Sequence, residues 1–539
     1  MIKGSSKPGY SWLTDTLRNI TTEPVQCSLG CMGAKCKYCT PIGRFPKEDF
    51  CIDGLYCNWV TDKILAMARP FSHIMEKHRT IYSMIKNGIK SVFNLQLIGE
   101  HAKCGEQPLG PSGFSYEPSE FMDAGIFYYN FGFTDYGAPS LGCLLDIVKV
   151  LDFALSQGKV AIHCHAGRGR TGLLIACWLI YNRRWTSDHT INYIRLKRAG
   201  AVQTKTQVNC VRRFESIMRG LWVVYPRSDY FDGFSLSQYL SKQKLLYHGD
   251  LLVQYRSAPR IVIVICNRLL QIAKDDPLEF ESYDNDSIMM DEDEDKEIMI
   301  ECIDETSKQK LSKSLPDLFD KLMIHDVNSA YTSCDNLNFV SNAPDFYESI
   351  NVNKSKSIDC IKEEEEEDSS NNPVYEALVS SSPVDSEFIS NVRTIEFDLN
   401  TQSKGWNLLH KENNPKILVT LLWHWISKLN EPILNNEVLE AISGLSCRAD
   451  LTELKSAIPA SVFFTLVCFL DLVIGLQPLS KAATKLLISR IYIMLSSSKV
   501  EDDEFINRVY FWVNSNKTLQ FSHRRSNSIQ SISNWQLQR

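Results

Sequence analysis

Residues 158–172 read GKVAIHCHAGRGRTG, and this stretch decides the fold of the N-terminal half of the chain. Residues 159–163 have the small and β-branched composition of a buried strand, and the residues after Arg170 have helical spacing. Gly167 and Gly169, in the loop between them, permit the backbone angles of a loop whose amides all point inward. Such a loop at a helix N-terminus predicts a binding site for a tetrahedral oxyanion.

The side chains around this loop predict nucleophilic catalysis on a phosphate ester. Cys164 ends the strand, and the positive field of the loop favours its thiolate, the form that attacks phosphorus. Arg170 can hold two oxygens of the anion with its planar guanidinium. Thr171 is placed to donate a hydrogen bond to the departing thiolate, and His163 to brace the loop from behind. The predicted phosphate-binding residues are His165, Ala166, Gly167, Arg168 and Gly169.

A proton donor for the leaving oxygen is expected on a separate loop, and Asp135 is the candidate. It lies in residues 132–139, GFTDYGAP, about 30 positions before Cys164, where flanking glycines would let the loop close. The alternative is a turn aspartate, a common role for Asp beside Gly. A buried strand cysteine before an ordinary turn is the corresponding alternative for Cys164, and it leaves the complete His-Cys-x5-Arg-Thr pattern unexplained.

The pattern from His163 to Thr171 resembles the signature of the cysteine-dependent protein tyrosine phosphatase superfamily. The acid loop lacks the Trp-Pro-Asp of the tyrosine-specific enzymes, which points to the dual-specificity branch. By the same resemblance, residues 198–207, RAGAVQTKTQ, correspond to a segment where related enzymes place a water-orienting glutamine. This makes Gln207 the predicted residue and Gln203 the second candidate, and two exposed helix glutamines are the alternative.

Residues 55–275 further resemble the protein tyrosine phosphatase domain-containing protein 1 family of animals. The likeness is carried by residues 57–70, 94–96, 99–102 and 422–432. It implies phosphatase activity on a poorly defined substrate and a link to centrosomes or cilia.

Alternation of strands and helices around the signature predicts a three-layer α/β domain, with a mainly parallel sheet flanked by helices. The predicted strands are Ile89–Leu95, Gly125–Phe131 and Lys159–His163; the predicted helices are Leu141–Ser156, Thr171–Tyr181 and Asp188–Arg198. Four apolar helices are predicted near the C-terminus, at Ile417–Leu429, Asn435–Ile442, Ser461–Leu476 and Ala482–Leu495.

The chain therefore divides into five segments. They are a Cys-containing N-terminal segment (1–50), a dual-specificity-like phosphatase domain with a helical extension (51–275), an acidic disordered linker (276–395), a small all-α C-terminal domain (396–515) and a polar tail (516–539). The linker prediction rests on residues 281–297, where nine acidic residues accompany one lysine.

Charge and hydropathy exclude several other classes of protein. Residues 1–275 hold 34 basic and 21 acidic residues, and residues 276–539 hold 24 and 43, so the second part should not bind nucleic acid. The N-terminal residues lack the apolar core of a signal peptide. The longest apolar run, 462–476, contains Asp471 and is shorter than the roughly 20 residues of a membrane span. We therefore expect a cytoplasmic protein without a transmembrane segment and with reduced thiols.

The predicted chemistry requires no metal and no organic cofactor. Four cysteines near the N-terminus, Cys27, Cys31, Cys36 and Cys39, include one Cys-x2-Cys pair. They could hold zinc through four thiolates or be ordinary thiols, and the sequence leaves both interpretations open.

Three functions fit these observations. The first is hydrolysis of phosphorylated proteins. The second is hydrolysis of phosphoinositides by the same site, because His165 and Arg168 are both basic and are expected to project to the rim of the loop. The third is a scaffold in which the C-terminal helical domain binds a protein partner and the catalytic site is vestigial.

Overall fold

The computed structural model describes residues 21, 25, 27, 31–105, 108–226, 234–274, 372–380, 386–402, 404–446, 449–498 and 500–515. These residues form two compact units, one that ends at Gly220 and one that begins at Leu221.

The first unit is built on a five-stranded mixed sheet. Its strands are β1 (Cys57–Trp59), β2 (Ile64–Met67), β3 (Ile89–Asn94), β4 (Phe127–Asn130) and β5 (Lys159–His163). Their order across the sheet is β1-β2-β5-β3-β4, with β1 antiparallel to β2 and all other pairs parallel. The predicted α/β class with a mainly parallel sheet is confirmed. Strand β5 lies at the centre and is almost wholly buried, which explains its continuous apolar sequence.

Helices flank this sheet. They are α1 (Ser72–Lys77), α2 (Thr80–Lys86), α3 (Ser119–Asp123), α4 (Leu141–Gln157), α5 (Gly169–Arg183), α6 (Ser187–Lys197) and α7 (Lys205–Trp222). Helix α4 begins where the Ser140 side chain accepts a hydrogen bond from the backbone N–H of Cys143. Every residue from Gly169 to Ile180 in α5 is buried, so this helix is held on all sides along its first three turns.

The second unit is helical in the part of it that the structure describes. Its helices are α8 (Leu236–Leu246), α9 (Gly249–Tyr255), α10 (Arg260–Ala273), α11 (Pro373–Val379), α12 (Ser386–Thr401), α13 (Gly405–Lys411), α14 (Pro415–Ser427), α15 (Asn436–Ser443), α16 (Leu451–Ala457), α17 (Ala460–Gly475), α18 (Lys481–Ser496) and α19 (Asp503–Ser515). The four helices predicted near the C-terminus correspond to α14, α15, α17 and α18. The apolar stripe of α14 lies in the core, with Trp425 fully buried.

Two predicted boundaries differ from the structure. Helices α8 to α10 do not extend the sheet domain, because they share one hydrophobic core with the C-terminal helices, and α10 packs on α14 and α17. Helix α11 and the first part of α12 are ordered helices inside the segment predicted to be a disordered linker. The rest of that linker, and nearly all of the predicted polar tail, lie outside the described residues.

The described helices include none that combines the length and the apolar character needed to cross a bilayer.

Candidate active site

The predicted catalytic residues lie at the carboxyl end of the parallel strands. Strands β3, β4 and β5 run in the same direction, so the segments that follow them meet at one edge of the sheet. Residues 95–101 follow β3, residues 131–137 follow β4, and the predicted catalytic loop follows β5. The sheet therefore brings Glu100, Asp135 and Cys164 together from three distant stretches of sequence.

The carbonyl groups of the catalytic loop are held away from its centre. The Arg198 guanidinium donates to the carbonyls of Ala166 and Gly167, both at 3.0 Å. The backbone N–H of Arg69 donates to the His165 carbonyl. In a trans peptide the N–H points opposite to the C=O, so the amides of residues 166–168 face the other way, into the loop. This geometry supports the predicted phosphate-binding nest.

Gly167 allows the loop to lie directly against β2. Its φ is +63°, and a Cβ at this position would lie 2.1 Å from the Met67 carbonyl oxygen. No side chain fits in that space, and the left-handed conformation would itself disfavour one. The loop geometry therefore depends on glycine at position 167.

Arg170 is fully buried and anchored by several acceptors. Its guanidinium donates to the carbonyls of Leu95 and Phe133, at 3.0 and 2.9 Å. It forms a two-pronged ion pair with Glu100 and approaches Asp135 Oδ1 at 3.1 Å. These partners fix the fork and engage both of its terminal nitrogens, the groups that were predicted to hold the anion.

Asp135 is an ionised carboxylate in this arrangement. Burial would raise its pKa, but the charge on Arg170 and the hydrogen bond from His101 lower it to about 2. His101 Nε2 lies 3.2 Å from Asp135 Oδ2. Burial would lower the pKa of His101, but hydrogen bonds with Asp135, Cys27 and Glu100 raise it to about 12. Two cations and two carboxylates thus balance each other beside the catalytic loop.

His163 and Thr171 lie on either side of the loop. His163 is fully buried; its Nδ1 donates to the carbonyl of Cys164 at 3.2 Å, and its Nε2 lies 2.7 Å from the Tyr116 hydroxyl. Burial, together with the nearby charge of Arg170, lowers the pKa of His163 to about 3, so the ring is neutral. The Thr171 hydroxyl is buried and has no hydrogen-bond partner among the described residues.

The two candidate glutamines occupy different positions. Gln203 lines the cavity in front of Cys164. Gln207 is fully buried; its amide accepts from the backbone N–H of Gln203 and donates to the Gly137 carbonyl. Gln207 therefore connects the acid loop to the segment that carries Gln203.

The two basic side chains of the catalytic loop do not project freely from its rim. The His165 imidazole is buried, and its Nε2 lies 3.2 Å from Cys104 Sγ. The Arg168 guanidinium donates to the hydroxyls of Tyr38 and Tyr56, at 3.0 and 2.7 Å, and lies over both rings. The expectation that both side chains project to the rim is wrong for His165, and Arg168 is already engaged by two tyrosines.

A cavity of about 480 Å³ opens in front of Cys164. The residues that line it are Cys27, Cys31, Tyr38, Leu97, Ile98, Gly99, Glu100, His101, Thr134, Asp135, Tyr136, Cys164, His165, Ala166 and Gln203. The predicted nucleophile and the predicted acid thus line one cavity, together with two residues of the catalytic loop, His165 and Ala166. Nucleophile, proton donor and anion clamp are the components that phosphoryl transfer through a cysteine requires.

Four residues of this site were not predicted as such from the sequence: Arg69, Glu100, His101 and Arg198. Glu100 and His101 follow a predicted strand, β3, at the same sheet edge as Cys164. The rule that the carboxyl ends of parallel strands meet would have found them. Arg69 and Arg198 act through backbone carbonyls, for which the sequence has no signal.

This fold and site define a class of protein domain. Residues 73–184 match a family model described as "Polymorphic toxin system, DSP-PTPase phosphatase". The match contains the acid loop, β5, the catalytic loop and the whole of α5. Residues 73–184 of the first unit are therefore similar to phosphatase domains of the dual-specificity type.

Comparison with individual proteins shows which phosphatases this chain is similar to. The chain is 44% identical over 280 residues to Protein tyrosine phosphatase domain-containing protein 1 of Mus musculus. The aligned region is 52% of this chain and 37% of that protein. The Danio rerio protein of the same name is 40% identical over 309 residues, 57% of this chain and 43% of that one. Dual specificity protein phosphatase CDC14A of Homo sapiens is 37% identical over 87 residues, 16% of this chain and 14% of that one.

The family resemblance seen in the sequence is confirmed by these relatives. The match spans less than half the length of either protein tyrosine phosphatase domain-containing protein 1.

Proposed function

We propose that this chain hydrolyses phosphomonoesters on tyrosine, serine and threonine residues of proteins, through a phosphocysteine intermediate. One observation carries the proposal: Cys164 and Asp135 line one cavity, together with His165 and Ala166 of the catalytic loop. Arg170, six residues after Cys164, is a fully buried cation that pairs with Glu100 and Asp135.

The reaction follows from this geometry in two steps. In the first, Cys164 Sγ attacks phosphorus; the S–P bond forms as the P–O ester bond breaks, and Asp135 gives its proton to the leaving oxygen. In the second, water attacks the phosphocysteine and Asp135 accepts a proton from it. The S–P bond then breaks, inorganic phosphate leaves and the thiolate is restored, with the Thr171 hydroxyl as its hydrogen-bond donor.

Asp135 must be protonated to serve as the acid, although its pKa is about 2 with Arg170 and His101 beside it. A bound phosphate dianion would occupy the same positive field and add negative charge next to the carboxylate. Like charge raises the pKa of a carboxyl group. Substrate binding therefore favours the protonated form of Asp135, which is the form that the first step uses.

The test is a phosphatase assay of the full chain and its Cys164→Ser variant on phosphotyrosine and phosphothreonine peptides. We expect Cys164→Ser to lose turnover while it still binds phosphopeptide, because the loop amides and Arg170 remain. Cys143→Ser is the matched control, since Cys143 is exposed on α4 outside the cavity. Equal turnover by Cys164→Ser and the parent protein would exclude the proposal, and absence of turnover by the parent would favour the scaffold alternative.

Phosphoinositide hydrolysis is tested in the same experiment by adding multiply phosphorylated inositides. Arg168 is held by Tyr38 and Tyr56, and His165 Nε2 lies 3.2 Å from Cys104 Sγ, so both side chains already have partners within the protein. We therefore expect Arg168→Leu to affect both substrates equally. A much larger loss on inositides than on a neutral phosphotyrosine peptide would reverse this assignment.

We further propose a cytoplasmic location with a centrosomal or ciliary role, and a protein partner for the C-terminal helical domain. The centrosomal or ciliary role rests on the family resemblance alone. Imaging of a fluorescent fusion beside a centrosomal marker tests it, and a diffuse signal throughout the cell cycle would contradict it.

A further inference from the structure

Three thiols and one imidazole lie together beside the catalytic loop. The Sγ atoms of Cys31, Cys36 and Cys104 and the Nε2 atom of His165 all lie within 4.8 Å of one another. These residues come from the N-terminal segment, from the loop after β3 and from the catalytic loop. Each is buried, with 6% or less of its surface exposed.

Three of the six separations between these atoms are close to the edges of a coordination tetrahedron. Zinc bonds of about 2.3 Å to sulfur and 2.0 Å to nitrogen place neighbouring ligand atoms about 3.5–3.8 Å apart. Cys31 Sγ lies 3.3 Å from Cys104 Sγ, which in turn lies 3.2 Å from His165 Nε2. Cys36 Sγ lies 3.5 Å from the same nitrogen. Small outward shifts would accommodate a metal at the centre.

A disulfide explains this arrangement less well than a metal does. A disulfide joins two sulfur atoms, and here three thiols and one imidazole nitrogen all lie within 4.8 Å of one another. All three cysteines are free. Three cysteines and one histidine are a common ligand set of structural zinc sites.

The surroundings can balance the charge of such a site. Zinc with three thiolates and a neutral imidazole carries one net negative charge. The buried Arg69 guanidinium donates to the Cys104 carbonyl and lies 3.7 Å from Cys39 Sγ, so a cation already adjoins the cluster. Buried charges are tolerated when a partner of opposite charge lies close by.

We propose that Cys31, Cys36, Cys104 and His165 bind one structural zinc ion. Binding releases the three thiol protons to solvent. The ion ties the N-terminal segment and the loop after β3 to the catalytic loop, and so fixes the wall of the cavity beside Cys164. This ligand set differs from the four cysteines that sequence spacing singled out, because Cys104 and His165 replace Cys27 and Cys39.

The proposal does not depend on phosphatase activity, since its test measures metal. Full-length protein purified without chelators is analysed for zinc, and cobalt(II) is then substituted to record the absorption of its ligand field and of its thiolate charge transfer. We expect about one zinc per chain and the spectrum of a tetrahedral thiolate site. A zinc content near zero together with an octahedral cobalt spectrum would overturn the proposal.

Single variants identify the ligands. Cys36→Ser and Cys104→Ser should each lower zinc affinity at least about tenfold, as loss of a ligand or its support does. Cys51→Ser is the matched control, because Cys51 is a partly buried thiol of the same region outside the cluster. Affinity that is the same in all three variants would reject the assignment.

His165 is tested by replacement with another ligand, which also covers the case in which the serine variants do not fold. His165→Cys should keep the zinc while the cobalt charge-transfer band grows by one thiolate, and His165→Ala should lose affinity. An unchanged cobalt spectrum in His165→Cys would remove His165 from the ligand set and overturn the proposed site.

Discussion

The proposed mechanism uses Asp135 as an acid, although Arg170 and His101 favour its anion. We expect Asp135→Ala to slow hydrolysis of alkyl phosphates by about 10²–10⁴-fold and that of aryl phosphates with good leaving groups far less, because only the alkoxide needs a proton. The measurement is kcat/KM over a series of esters with different leaving-group pKa values. Asp146→Ala is the control, since Asp146 is an exposed residue of α4. Equal losses across the series would show that Asp135 is not the acid.

Gln207 and Gln203 can be separated by the step that each affects. Gln207→Ala should remove the hydrogen bond that positions the Gln203 backbone. Hydrolysis of the phosphocysteine should therefore slow by about a hundredfold. Gln203→Ala should slow the same step if its amide orients the water. Quenched-flow measurement of the phosphoenzyme distinguishes the steps, with the exposed Gln157→Ala as control. Phosphoenzyme that does not accumulate in either variant would contradict the predicted role.

Asp471, in α17, makes the stability of the second unit depend on pH. Burial raises its pKa to about 7. The folded state thus keeps a proton that the unfolded chain releases near pH 4, and stability from this group is lost as pH rises through 7. We expect Asp471→Asn to raise the melting temperature by about 2–4 °C at pH 8 and by less at pH 5. The exposed Glu501→Gln is the control, and an equal shift at both pH values would contradict this reasoning.

Among elements, the catalytic loop depends on its contact with β2. Gly167→Ala should abolish phosphate binding and lower activity at least about a hundredfold, because its Cβ would strike the Met67 carbonyl. Gly125→Ala is a matched control: Gly125 also has a positive φ, of +73°, but nothing lies within 4 Å of its Cβ position. Gly125→Ala should lower the free energy of unfolding by only about 1–2 kcal/mol, the cost of the left-handed conformation. Similar losses of activity in both variants would mean that the left-handed backbone conformation, and not the contact with Met67, causes the loss.

The sequence predicted elements best where one strong pattern covers them. Strand β5 and helix α5 came from residues 158–172 because an apolar strand, a glycine loop and a helix follow one another there. Strands β1 and β2 were not predicted, since three and four residues are too few to show a period. The position of Glu100 after β3 could have been used to place it at the site, but its ion pair with Arg170, 70 positions later, has no signal in the sequence.

For the whole molecule, periodicity showed which face of a helix is apolar but not which partner covers it. Helix α10 was assigned to the wrong unit for this reason: its apolar face is evident in the sequence, whereas its packing on α14 and α17 is not. At Gly475 of α17, a Cβ would lie 2.2 Å from Leu270 of α10, so the two helices are in close contact.

This packing predicts how fragments behave. A fragment that ends at residue 275 contains α8 to α10 without the helices that cover them, and should aggregate or bind an apolar dye. A fragment that ends at residue 226 lacks these helices and should stay monomeric and bind less dye. Size-exclusion chromatography and dye fluorescence compare the two. A monomeric 1–275 fragment that binds no more dye than 1–226 would show that α8 to α10 need no partner.

The order of strands in the sheet has a consequence for synthesis. Strand β2 pairs only with β1 and β5, and β3 only with β4 and β5, so β5 joins two halves that do not otherwise touch within the sheet. A chain still on the ribosome can pair these halves only after residue 163 has emerged. The nucleophile at residue 164 follows immediately. Cys164, the predicted nucleophile, is therefore synthesised just as the sheet beside it can first be completed. Translation that stops earlier yields a product that lacks both the complete sheet and Cys164.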